Sequence, residues 1–187
     1  MKHFFIDHDY RLRLRTYDDV VGEPPELLRM GTGLRYIWRF AAHWCKGQGC
    51  DVGPAFFGAD AGIMLPGAVA VDSSIPGTGH ALALPFSDGS LDYVFSSHCI
   101  EHVDDPEGAI CEAHRVLKPG GIHFLYMPFP EHISWDPQTC VESRTFHHWQ
   151  PTPSEVARLL ILAGFDVVHN EWQRDVLWSF ATVGRKR

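Results

Sequence analysis

Residues 83–121 read ALPFSDGSLDYVFSSHCIEHVDDPEGAICEAHRVLKPGG, and this stretch decides the fold. Leu91 to Ser96 is rich in β-branched and aromatic residues and reads as a strand. From Pro106 to Leu117 the apolar residues Ala109, Ile110, Ala113, Val116 and Leu117 recur at helical spacing. A helix is therefore expected there, with Lys118-Pro119-Gly120-Gly121 ending it and Ile122–Met127 following as a second strand. Strand, helix and strand in that order imply parallel pairing through a crossover.

The same alternation continues outward. Upstream, Cys50–Val52 and Ala68–Val71 read as strands, with a helical or turn segment around Ala55–Met64 between them. Downstream, Pro153–Ala163 is marked as a helix by Thr152 as N-cap, Pro153 at its first position and Glu155 completing a capping box. Val156, Leu159, Leu160 and Ala163 form its buried stripe, and Gly164 is placed to end it. Phe165–His169 and Leu177–Val183 read as two further strands. The fold class is α/β, a doubly wound and mostly parallel sheet covered on both faces, whose ligand sites lie at the carboxyl ends of the strands. Residues 1–43 read as an N-terminal extension or helical cap. There Tyr10 to Arg15 alternates apolar and basic residues, and Leu34, Ile37, Trp38 and Ala41 form a helical stripe within Glu26–Trp44, with Gly31 and Gly33 near its start. Residues 44–187 form the main domain.

Composition narrows the function classes. The chain has 187 residues, enough for one core, and 45% of them are hydrophobic, the proportion of an ordinary globular domain. A formal net charge of −7 opposes a phosphate backbone, so no nucleic-acid partner is expected. The basic clusters Arg11, Arg13, Arg15 and Arg185, Lys186, Arg187 read as solvated termini. The 5 cysteines form no C-x-x-C pair and no leader is apparent, which points to reduced thiols and a cytoplasmic protein. No apolar run approaches the ~20 residues needed to span a bilayer.

The chemistry-bearing residues lie at the predicted strand ends. Asp51-Val52-Gly53 closes the first strand, and a glycine there lets a ligand approach the backbone. Asp72 closes the second, where a carboxylate can accept both hydroxyls of a ribose. Dinucleotide-binding dehydrogenases share this spacing, and a strand-ending turn with a capping Asp would look the same.

The longer run separates these readings. Ala83-Leu84-Pro85-Phe86-Ser87-Asp88-Gly89-Ser90-Leu91-Asp92-Tyr93-Val94, then Ile100-Glu101-His102-Val103, then Glu112 to Gly121 resemble the "LPF-x-D-x-S-F-D-x-V … LEHV … E-x-x-RVLKPGG" pattern. That pattern belongs to class I S-adenosylmethionine-dependent methyltransferases, in the subgroup that includes ubiquinone-biosynthesis enzymes. The final helix, the Gly164-Phe165 pair and the strand into Val183–Arg187 are also similar to that family's last helix and antiparallel hairpin. The resemblance implies a Rossmann-like sheet of seven strands with one antiparallel edge strand, and S-adenosylmethionine lying across the strand ends. Carried over by position, Asp51, Gly53, Pro54 and Ala55 would border the methionine part of the cofactor. Asp72 would hold the ribose, with Ser73 beside it. His80 and Ala81 would flank the adenine, and Ser97 and His98 would border the methionine and the acceptor. His98 and His132 are the candidate bases. The acceptor class expected is a small molecule or a sugar, methylated on oxygen or nitrogen.

Two departures open an alternative. Ala55 replaces the family's second loop glycine, followed by Phe56 and Phe57, and His80 replaces an acidic residue whose role a neutral imidazole could fill by accepting from the adenine amine. A module that kept the fold and lost the cofactor, acting as a binding partner, would explain the loop. A nicotinamide oxidoreductase would need a G-x-G-x-x-G that the chain lacks. His98-Cys99-Ile100-Glu101-His102 matches the inverted zinc-peptidase signature, and His147-His148 lies near Cys140 and Glu142. Neither has the context of a metal site, and no metal is expected. The aromatic residues of Phe129–Trp149 suit either one wall of an acceptor pocket or packing against the C-terminal helix. Tyr36, Trp38, Phe40 and Trp44 suit a lid or a homodimer surface.

Overall fold

The computed structural model describes residues 40–54, 65, 67–133, 135–173 and 179–187. Six strands make one sheet: β1 (Gly49–Val52), β2 (Val69–Val71), β3 (Leu91–Ser97), β4 (Leu117–Pro128), β5 (Phe165–Gln173) and β6 (Ser179–Lys186). Their order is β2-β1-β3-β4-β6-β5, with β2, β1, β3 and β4 parallel. Among the described residues they are accompanied by α1 (Pro106–Val116), α2 (Val141–Phe146) and α3 (Pro153–Leu162), with a 3₁₀ turn at Ile100–His102.

The period of two along the central strands builds two apolar layers. Val94, Leu125 and Met127 face Ile110 of α1 and Leu160 of α3. Their neighbours Tyr93, Phe95, Phe124 and Tyr126 face the opposite layer, which includes Phe40 and Ala41. Phe40 is buried edge-on against Phe124, with ring centroids 5.5 Å apart. It therefore packs on its own sheet and offers no dimer surface. Tyr36, Trp38, the rest of 1–39, the segment Ala55–Met64 and Leu177 fall outside the described residues.

Both long helices start as their sequences dictate. Asp105 accepts a hydrogen bond from Gly108 N at 2.8 Å, and Pro106 occupies the first turn of α1. Thr152 and Glu155 complete the capping box of α3 in both directions.

The class of fold is the one expected, with six strands among the described residues, and two details differ. The reversed strand is not at the edge: β6 runs antiparallel between β4 and β5, which leaves β5 outermost. The hairpin of β5 and β6 docks through its second strand, because buried Phe180, Ala181 and Val183 lie on both faces of β6. Finally, Lys118-Pro119-Gly120-Gly121 ends the helix but is already part of β4. The register slips between the pairs Leu91↔Leu117 and Tyr93↔Ile122, a bulge that Gly120 makes possible with φ of 80°.

The basic terminus is also structural. Lys186 Nζ donates to the carbonyls of His114 at 2.6 Å and Leu117 at 2.8 Å, closing the last turn of α1. Arg187 donates to Ile161 O at 3.0 Å and Gly164 O at 3.2 Å.

Candidate active site

The strand order reverses between β1 and β3: from β1 the chain moves to β2 on one side and then crosses to β3 on the other. A crevice at the carboxyl ends follows from that reversal. Register places the site residues in a row, since Val52 pairs with Val71 on one side and Ser96 on the other. Gly53, Asp72 and Ser97 are the next residues along each strand. Gly53 has φ of 80°, and a Cβ on it would lie 2.3 Å from Cys99 Sγ. Only glycine lets β1 and the turn after β3 approach this closely.

Asp51, one residue inside β1, is buried, and its Oδ2 accepts from Leu65 N at 2.7 Å. Burial raises its pKa to about 7 against the lowering effect of that hydrogen bond. Asp72 closes its own turn: Ser74 N and Ser74 Oγ both donate to its Oδ1, at 2.8 and 2.6 Å. The carboxylate at the tip of β2 is thereby oriented. Pro54 is buried and Ser73 exposed. Ala81 is buried, whereas His80 is exposed and its Nδ1 accepts from Leu82 N at 3.1 Å. That bond puts the ring proton on Nε2, which makes Nε2 a donor rather than the acceptor an adenine amine would need.

Past Ser97 the chain turns sharply. His98 has φ of 51°, the only positive value at a non-glycine position among the described residues. Its Nε2 lies 2.8 Å from Ser179 Oγ and its Nδ1 3.6 Å from Glu101 Oε1. Its ring packs against Tyr126 and Trp135, with centroids 5.3 and 5.0 Å away. Burial, followed by repulsion from His147 and His102, holds its pKa down at about 3. Glu101 is fully buried. The backbone N–H groups of His148 and Trp149 both donate to its carbonyl, at 2.8 and 3.2 Å. This brings His147 against His102, with ring centroids 4.8 Å apart. His132 is half-buried in the first turn of the loop that carries Trp135, and burial lowers its pKa.

Part of the chain is similar in sequence, and its fold is similar overall, to known methyltransferases. The methyltransferase domain family matches residues 68–125. A probable S-adenosylmethionine-dependent methyltransferase of Mycolicibacterium smegmatis is 34% identical over 89 residues, covering 48% of this chain and 34% of that protein. A ubiquinone/menaquinone biosynthesis C-methyltransferase of Ruegeria sp. is 52% identical over 44 residues, 24% of this chain and 18% of the other. The solved 1,6-didemethyltoxoflavin-N1-methyltransferase of Burkholderia thailandensis superposes with a TM-score of 0.60 at 18% identity, over 96% of this chain and 89% of that one. Residues 68–125 thus carry the pattern of the methyltransferase domain family, on a fold shared with solved methyltransferases. It spans about a third or less of the length of the curated relatives just described.

Within this domain the motif residues divide by task. Glu112 and Arg115 of the E-x-x-R element face away from the strand-end crevice. Arg115 donates to both carboxylate oxygens of Glu112, to Asp88 and to the carbonyls of Leu84 and Phe86. Glu112 in turn accepts from Leu84 N at 2.8 Å. The motif is thus a staple between α1 and the loop before β3. Ala55 lies outside the described residues. Sequence reasoning nominated His98 and missed the grouping around it. Glu101 and His102 were legible in the "EHV" motif, but Tyr126, His147 and Ser179 join them only through the fold.

Proposed function

We propose that this domain transfers a methyl group from S-adenosylmethionine to a small-molecule or sugar acceptor, on oxygen or nitrogen. The row of Gly53, Asp72 and Ser97 along three adjacent strand ends, where the strand order reverses, carries the reading. The donor set suits the cofactor: Asp72 would accept the ribose hydroxyls, and the backbone from Gly53 to Pro54 would border the methionine part. Asp51 would support that turn, with Ser73, Ala81 and Ser97 at the margins. His80 would donate to the adenine ring rather than accept from its amine.

S-adenosylmethionine, when bound, supplies a methyl group already activated by the sulfonium charge. The protein's work is alignment and exclusion of water. His98 stays a neutral imidazole at physiological pH. A group with a pKa near 3 stores a proton poorly, which suits His98 to positioning an acceptor more than to deprotonating it. An amine acceptor would need only to arrive unprotonated. His132 is the second candidate on the acceptor side.

Calorimetric titration with S-adenosylhomocysteine tests the cofactor site. Micromolar binding is expected, weakened at least about tenfold by Asp72→Ala. Absence of binding to the folded protein would overturn the reading. In an acceptor screen, His98→Ala and His132→Ala should each lower turnover more than cofactor affinity, and unchanged turnover in both would remove these residues from the mechanism.

A further inference from the structure

We propose that Glu101, His102 and His147 form a binding site for a divalent transition-metal cation, beside His98 at the carboxyl end of β3. Each offers one ligating atom, and the three atoms lie within 4.8 Å of one another. Ligands bound at about 2.0–2.2 Å around one ion stand roughly 3–3.5 Å apart, so a small side-chain rotation closes the set. Two imidazoles and one carboxylate suit zinc, manganese, iron or cobalt better than magnesium or calcium. Three protein ligands also leave a coordination position for a water or an acceptor oxygen.

The backbone already holds the arrangement. The hydrogen bonds from His148 N and Trp149 N to Glu101 O fix the two segments together. The His102 Nδ1 donates to Phe146 O at 3.0 Å, which places the lone pair on Nε2, the tautomer commonly seen in metal-bound histidines. Trp135 stacks on His147 with centroids 6.0 Å apart and planes inclined by 27°. His98, 3.6 Å from the Glu101 carboxylate, stands where an outer-shell group would orient it.

An independent observation points to a ligand. His147 Nδ1 is buried and makes no hydrogen bond among the described residues. Leaving such an atom unsatisfied is costly, and a metal bond would remove that cost. The inverted zinc-peptidase arrangement itself does not form. His98 precedes a 3₁₀ turn instead of sharing an α-helical face with His102, and the third ligand comes from the distant α2 end. Neither metal-like pattern in the sequence therefore describes this ligand set.

The test is titration of chelator-stripped protein with zinc by calorimetry and with cobalt by visible absorption. The expected result is one tight equivalent per chain, with a cobalt d–d band. Affinity should fall by more than about tenfold in His147→Ala and His102→Gln. It should persist in His148→Ala, which removes an exposed imidazole paired with Asp104. Circular dichroism of each apo variant identifies any that fails to fold, and the remaining ligand variant then decides. No stoichiometric binding to folded wild type, or binding unchanged in a folded ligand variant, would overturn the proposal. The readout is metal affinity, so it stands apart from the methyl-transfer reading.

Discussion

At the amino end of β3, a single guanidinium is surrounded by five acceptor oxygens from Glu112, Asp88, Leu84 and Phe86. At the carboxyl end, a buried carboxylate sits among the imidazoles of His98, His102 and His147, two of them held well below the usual histidine range. The first region satisfies every group it buries and serves stability. The second keeps a residue at positive φ and a buried ring nitrogen without a hydrogen bond, features that cost free energy and collect at functional sites. Opposite ends of one strand thus separate the scaffold from the chemistry.

Substitutions should break that comparison unequally. Arg115→Ala removes the donor shared by the Leu84 and Phe86 carbonyls, Asp88 and Glu112, and should lower the midpoint of urea unfolding more than His98→Ala does. His98→Ala should cost less stability, about 1 kcal/mol, while its effect on turnover exceeds that of any scaffold variant of equal stability. Arg115→Ala proving the milder change in a melt would mean that the motif has a role beyond stapling.

Acid should sharpen the contrast through two groups of opposite sign. The folded pKa of Asp51 is raised to about 7, so the folded state binds the proton more tightly than the unfolded one. Its contribution improves as pH falls from about 7 toward 4. His123, buried in β4, has its folded pKa lowered to about 3 by burial, so the unfolded state takes the proton first and stability is lost as pH falls below about 6.5. Relative to wild type, Asp51→Asn should gain about 2 kcal/mol at pH 7.5 and nothing near pH 4, and His123→Leu should flatten the acid loss. Chemical denaturation across that range checks both. A smaller effect, about 1 kcal/mol in thermal melts, is expected of Thr152→Ala, which removes the α3 cap.

Much of the fold was legible because its signals are local. The parallel strands, α1 with its Pro106 start and α3 with its capping box are written in runs of ten or so residues. The inward position of β6 was not, because nothing in Ser179–Lys186 by itself says which neighbour it joins; that follows from apolar residues on both of its faces. The bulge at 117–121 was hidden because Pro and Gly punctuate helices and tolerate a strand bulge equally well. In the site, Asp72 and Gly53 could be placed from spacing. The histidine grouping could not, since its members come from the turn after β3, from β4, from the end of α2 and from the start of β6.

The inward position of β6 also sets an order of assembly. Until residues 179–186 arrive, β4 presents an unpaired edge lined with Ile122, Phe124 and Tyr126, and β5 has no sheet to join. During synthesis that edge stays uncovered until β6 has been made. The strand that seals the edge also carries Ser179, the partner of His98. Completing the sheet and completing the pocket are therefore one event, and a chain that has not finished folding has no finished site to offer a substrate.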